Sequence, residues 1–168
     1  MGTLADPVSK DGVNRRGDLS ALFAPRSIAF VGASERANAP ATRGLRHCLR
    51  LGFEGRLYAV NPKYPTLLGV PCVASIDALD APVDLAVIAL PAQATLDAVA
   101  QCARKGVRAA VICSSGWGET GVEGQDRESE LRTLLAETSM RVLGPNCIGV
   151  GSASVRACVA YNSSFEHL

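Results

Sequence analysis

Five short apolar runs constrain this chain more than any other feature: Ser27–Val31, Arg56–Val60, Val83–Leu90, Val107–Cys113 and Met140–Leu143. They draw mainly on Val, Ile, Leu and Ala and show little polar–apolar alternation. A strand with one wet face alternates, whereas a strand covered on both faces does not. Helical spacing fills the gaps between them. Residues 41–51 carry Leu45, Cys48, Leu49 and Leu51, Gln93–Lys105 carries Leu96, Val99, Ala100 and Ala103, and Gln125–Glu137 carries Leu131, Leu134 and Leu135. Gly52 and Gly106 stand where a helix end needs left-handed backbone. This alternation predicts an α/β fold: a Rossmann-like, doubly wound, mainly parallel sheet of five to six strands with helices on both faces.

The remaining stretches are less regular. Residues 1–17 read as a flexible leader, mixing Gly2, Gly12 and Gly17 with charges. Leu19, Leu22 and Phe23 fall on one face of a short turn capped by Asp18 or Ser20 and ended by Pro25. Residues 64–71 read as a loop, Ser75–Leu79 as a short helix, and Val155–Tyr161 as a candidate sixth strand. The domain itself is expected over 18–150. Residues 151–168 are expected to form a final strand or the start of a linker to a second domain.

Composition narrows the function. A chain of 168 residues buries roughly 70% of its unfolded surface and needs no metal or disulfide to fold. The six cysteines, with no CxxC pair, read as buried reduced thiols in a cytoplasmic protein. Lys plus Arg is 17 and Asp plus Glu 16, so a broad basic face for nucleic acid is not expected. No apolar run reaches the ~18–20 residues of a membrane span, and the polar N-terminus is not a secretory signal.

Open parallel sheets bind ligands beyond the carboxyl ends of their strands. Those ends carry, in order, Gly32-Ala33-Ser34, Asn61-Pro62-Lys63, Pro91-Ala92, Ser114-Ser115-Gly116 and Pro145-Asn146-Cys147. All are small, turn-forming or polar, and five such ends together point to a site. A dinucleotide site places GxGxxG after the first strand and an acid after the second. Here a single Gly32 and the Asn61-Pro62-Lys63 turn stand instead. A lysine there attracts phosphate, which favours a phosphorylated adenosine ligand, coenzyme A ahead of NADP. An NAD(P)-binding redox domain is disfavoured on the same grounds. No catalytic set is recognisable. Cys147 has no identifiable base, Glu119 is expected to cap the helix near Gln125 or to be solvated, and Trp117 is expected to be partly buried. His47 is expected on a helix surface and His167 in the tail.

The strand-end motifs together resemble the CoA-binding domain of the succinyl-CoA synthetase α subunit, with the NDP-forming acyl-CoA synthetases as the nearer match. They are LFAPRSIAFVGAS (Leu22–Ser34), VNPK (Val60–Lys63), VDLAVIALPA (Val83–Ala92), KGVRAAVICSSGWGETG (Lys105–Gly121), MRVLGPNCIG (Met140–Gly149) and YNSSF (Tyr161–Phe165). The resemblance implies that amides of Gly32, Ala33 and Ser34 approach the CoA phosphates and that Asn61, Pro62 and Lys63 hold the adenosine end. It implies that Pro91, Ala92, Ser114, Ser115 and Gly116 line the pantetheine path and that Pro145, Asn146 and Cys147 turn near the thiol. The family's phosphorylated histidine lies in a following domain, so this chain alone is expected to be inactive, with C-terminal ligase domains or a β subunit as the missing partner. Self-association through an exposed docking face is a further expectation. A stand-alone or regulatory CoA-binding module, for example of a protein lysine acetyltransferase, is the alternative. Two departures from the family pattern stand out: the first loop runs Ala37-Asn38-Ala39-Pro40-Ala41 without the usual further Gly or Ser, and Trp117 replaces a smaller aromatic.

Overall fold

The computed structural model describes residues 18–162 and Phe165; the leader, His167 and part of the YNSSF motif lie outside the described residues. The short helix α1 (Ser20–Phe23) opens with the Ser20 amide donating to Asp18 Oδ1 at 2.9 Å. Ala21 and Leu22 are buried, while Phe23 and the preceding Leu19 stay exposed. Then follow β1 (Ser27–Val31), α2 (Pro40–Leu51), β2 (Arg56–Val60), β3 (Thr66–Leu67), β4 (Val70–Val73), β5 (Leu85–Ile88), α3 (Ala92–Lys105), β6 (Ala109–Ile112), α4 (Val122–Ala136) and β7 (Arg141–Leu143). A small separate ribbon, β8 (Gly151–Ser152) with β9 (Ala157–Cys158), closes the order.

The main sheet runs β3-β4-β2-β1-β5-β6-β7, parallel throughout except for the antiparallel β3–β4 pair. Without β3 this is the 3-2-1-4-5-6 order of a doubly wound sheet, with its switch point between β1 and β5. The sheet has seven strands, beyond the expected five to six. The extra ones come from the 64–71 segment, where Gly69 with φ +80° lets a tight hairpin form and Pro71 sits on the short strand β4. Strands of two and four residues are too short to show a pattern.

Strict in–out alternation across the buried strands splits the core in two. Ile28 and Phe30 of β1, Val87 of β5 and Val111 of β6 face one side, with Leu45 and Cys48 of α2. Ala29, Val31, Ile88 and Ile112 face the other, with Leu96 and Val99 of α3 and Leu131 of α4. Pro40 starts α2 at its first position, and left-handed Gly52 (φ +71°) and Gly106 (φ +77°) end α2 and α3 as expected.

Two expectations are corrected. Val155–Tyr161 does not join the parallel sheet. It packs instead across α2, burying Ala157, Cys158, Val159 and Ala160 against the first core. His47 is not on the surface: it is 2% exposed, and its Nδ1–H donates to the Ala160 carbonyl at 2.9 Å. The apolar strap needs a polar anchor on the helix beneath it, and His47 supplies one. All six cysteines are free thiols, and burial pushes Cys48, Cys102 and Cys113 up to about 12. Among the described residues no helix is long and apolar enough to cross a membrane.

At the amino ends of the strands, buried Asp84 accepts from the Arg26 amide at 2.8 Å and from the Arg108 guanidinium at 3.2 Å. Arg108 also bonds Asp18 at 2.7 Å and so ties α1 to the sheet. The Arg26 guanidinium, 3.6 Å away, is 87% exposed and adds little. Burial pushes the Asp84 carboxyl up, but the Arg26 amide and Arg108 outweigh it and hold it below the ordinary aspartate range. Its folded value lies below its unfolded one. The stabilisation is therefore complete above about pH 3.9, the unfolded value. It is lost as pH falls through the folded value. Asp84→Ala is expected to destabilise the chain by about 1–3 kcal/mol at neutral pH in urea unfolding. That difference should shrink in acid.

Candidate functional site

The five strand-end motifs are drawn together by main-chain and side-chain bonds. After β1 the chain turns through Gly32 (φ +85°), whose amide donates to the Val60 carbonyl at 3.0 Å. A Cβ there would lie 2.6 Å from the Ala89 carbonyl oxygen, so only glycine fits where β1 and β5 part. Asn61 Nδ2 donates to the Ala33 carbonyl at 2.8 Å, and Asn61 Oδ1 accepts the Lys63 amide at 3.0 Å. One side chain thus fixes the first loop against the second and shapes the turn that carries Lys63. Lys63 is exposed, and among the described residues its ammonium has no ion-pair partner.

Across the switch point, Pro91 precedes α3 and Ala92 begins it. Buried Thr95 donates to the Leu90 and Pro91 carbonyls at 3.1 and 3.2 Å and lies 3.2 Å from Ser114 Oγ. A Cβ on Gly116 (φ +99°) would sit 3.3 Å from Ala92 Cβ, so the loops after β5 and β6 are in contact. The Asn146 amide donates to the Ser114 carbonyl at 3.0 Å and Cys147's amide to Ile112 at 3.2 Å, joining the fifth end to the fourth. Cys147 Sγ accepts the Gly149 amide at 3.2 Å, a structural turn contact. Ser115, Pro62 and Asn146 are exposed.

The first loop holds a surprise. Two of the amides expected to meet phosphate are already engaged: Gly32 N–H with Val60, and Ser34 N–H with Thr42 Oγ1 at 2.9 Å. The α2 N-terminus has no side-chain cap. Beside it, Ser34 Oγ is buried without a hydrogen-bond partner. A buried hydroxyl with no partner is destabilising unless a ligand or water meets it. The glycine turn, the unbonded hydroxyl, the uncapped helix end and the nearby exposed lysine suit an anionic, phosphate-bearing ligand.

Several supporting residues escaped the sequence reading. Thr42 and Thr95 each sit in the first turns of a helix after a strand-end loop, a position that favours back-bonding hydroxyls. Trp117 is fully buried, with Nε1–H donating to the Ser114 carbonyl at 2.9 Å, so it shapes the fourth loop from beneath. Glu119 does not cap α4; it accepts the Gly116 amide at 2.7 Å, and that bond holds its carboxyl below the usual range. Arg127 of α4 binds the Gly116 carbonyl and Glu128 the Gly118 amide. Two concavities of about 460 and 520 Å³ lie away from these motifs, around Arg156, the second among Pro25, Arg26 and Arg56 at the amino ends of β1 and β2.

A doubly wound sheet with this switch point, lacking the GxGxxG turn and the acid after β2, defines a nucleotide-binding domain outside the usual dinucleotide type. Residues 26–153 match the family described as the CoA binding domain. The chain belongs to that family, whose ligand is coenzyme A. It is 37% identical over 147 residues to the ADP-forming acetate–CoA ligase I of Archaeoglobus fulgidus, covering 88% of this chain and 21% of that protein. It is 35% identical over 142 residues to the α subunit of an ADP-forming acetate–CoA ligase II from Pyrococcus furiosus, covering 79% and 29%. The dinucleotide-forming acetyl-coenzyme A synthetase 1 of Ca. Korarchaeum cryptofilum, solved with phosphate and ADP, superposes with a TM-score of 0.81 at 36% identity over 86% of this chain and 31% of that one. A conserved hypothetical protein from Pyrococcus furiosus matches over 96% of its own length, with a TM-score of 0.55 and 27% identity. The chain thus spans less than a third of the length of the ligases it matches.

Gly124 of α4 packs so closely on the fourth loop that a Cβ there would lie 1.7 Å from the Trp117 carbonyl oxygen. Gly124→Ala is expected to destabilise the chain by about 1–3 kcal/mol or more in thermal unfolding, through overpacking. Amide spectra should show the shift concentrated at residues 114–118.

Proposed function

We propose that this chain is the CoA-binding domain of an NDP-forming acyl-CoA synthetase and holds coenzyme A across the carboxyl ends of its strands. The observation that carries the reading is the Asn61–Ala33 bond. It locks the glycine turn after β1 to the turn bearing an exposed lysine, beside the uncapped α2 and the buried, partnerless Ser34 hydroxyl. Ser34 and the start of α2 meet the diphosphate, and Lys63 meets the adenosine-side phosphate. Pro91, Ala92, Ser114, Ser115 and Gly116 border the pantetheine arm, and the Pro145-Asn146-Cys147 turn stands near the thiol.

When bound, coenzyme A is the thiol of the overall reaction, released when acyl-CoA, NDP and phosphate give acid, CoA and NTP and consumed in the reverse direction. The residues here bind and orient it. The phosphorylated histidine and the nucleotide site belong to further domains or a β subunit, so the chain alone holds the thiol substrate without turning it over. A second reading, a stand-alone or regulatory CoA-binding module, draws on the Pyrococcus furiosus protein that this fold matches over 96% of its length.

Calorimetric titration of the chain with CoA, dephospho-CoA, NAD and NADP tests the proposal. CoA should bind and dephospho-CoA should bind more weakly. Lys63→Ala should weaken CoA by about tenfold, the scale of one hydrogen bond to a charged group, and erase its preference over dephospho-CoA. Binding of NAD with no response to CoA would overturn it.

A further inference from the structure

We infer that Thr42 is a positioning residue for the coenzyme A phosphates, acting through Ser34. Its hydroxyl makes two bonds to the main chain of one residue. It accepts the Ser34 amide at 2.9 Å and donates to the Ser34 carbonyl at 2.7 Å. Thr42 is 1% exposed and lies in the first turn of α2, so the bond pair joins the end of the β1 turn directly to the helix. Residues 35–41 form an excursion closed at this neck. Residues 35–38 are exposed and bonded mainly to α2: Arg46 to the Ala37 carbonyl and Arg43 to Asn38 Oδ1.

Two consequences follow from the geometry. With its amide and carbonyl both engaged by Thr42, Ser34 has one polar group left, the buried Oγ that has no partner. The neck therefore fixes where that hydroxyl sits, and Ser34 meets the ligand through its side chain, not its amide. The neck also isolates Ser34 from the sequence of the excursion. Residues 35–38 lie outside the neck, so the Gly or Ser absent from Ala37-Asn38-Ala39-Pro40-Ala41 bears on the start of α2 and not on the placement of Ser34.

This inference rests on the proposed CoA site. It is tested by titrating the full chain and its variants with CoA. Thr42→Val keeps the shape and removes the hydroxyl; it should weaken CoA by about tenfold, the effect of one displaced hydrogen bond. Thr42→Ser keeps both bonds and should bind within about twofold of the parent, less than one hydrogen bond's effect. Ala37→Gly should bind like the parent. In a double-mutant cycle, Thr42→Val should add little to Ser34→Ala, because both act at one hydroxyl. Thermal unfolding of each variant separates folding from binding, since a purely structural threonine would lower stability and leave the affinity of the folded chain intact. If Thr42→Val does not fold, exchange of the Ser34 amide in the parent decides: slow exchange without CoA supports the neck, and fast exchange sinks it. CoA binding to the parent with unchanged affinity in Thr42→Val, or with fully additive losses, overturns the role of Thr42. No CoA binding to the parent overturns the proposed site itself, and this inference with it.

Discussion

At the middle of the sheet β1 pairs in parallel with β2 on one side and β5 on the other, and the chain leaves it through Gly32. Everything at the carboxyl edge depends on that exit. The next crossover goes to the β2 side and a later one to the β5 side, so the loops diverge and leave a crevice between them. A side chain at position 32 would strike the Ala89 carbonyl and force β1 and β5 apart. Asn61 then spans from the second loop to the first, and Thr95 and Ser114 link the loops on the far side. The crevice is framed by bonds within the protein, which keeps its polar groups placed before any ligand arrives.

Helix α2 has a double task. Its first turn holds Ser34, and its flank holds the strap formed by residues 157–162. Arg43, His47, Cys48 and Arg50 donate to the carbonyls of Tyr161, Ala160, Cys158 and Phe165 in turn. Gly44 lets the strap lie close, because a Cβ there would stand 3.1 Å from the Val159 carbonyl. The donors read main chain and leave the strap's side chains free to fill the core, as Val159 does. With α2 the strap closes the first core.

The core strands were legible because burial on both faces writes itself as unbroken Val, Ile and Ala. β1 and β2 fall on the expected residues, and α2 and α3 begin one residue early. The ends of Val83–Leu90 and Val107–Cys113 ran long, since apolar residues continue past the last ladder bond into the turns. The β3–β4 hairpin was hidden by its Pro and Gly content, which marks loops and edge strands alike. The strap was misread because Val and Ala in a short extended segment look the same whether it pairs with a sheet or packs on a helix. His47 was misplaced for the same reason: its partner is a main-chain carbonyl 113 residues away, and no local pattern records it. The strand-end motifs could be found in sequence because turns need small and polar residues. The engagement of Ser34 by Thr42 could not, because it depends on where the excursion of residues 35–41 closes.

The central claim is that coenzyme A lies across all five strand ends. Hydrogen–deuterium exchange of the chain with and without CoA tests it most directly. The account predicts added protection at the amides of residues 32–34 and 41–43, Asn61 and Lys63, Ala92, 114–116 and Asn146 and Cys147, with none in the strap at 157–160. Protection confined to the concavities around Arg156 at the other end of the sheet, or none anywhere at saturating CoA, would contradict it.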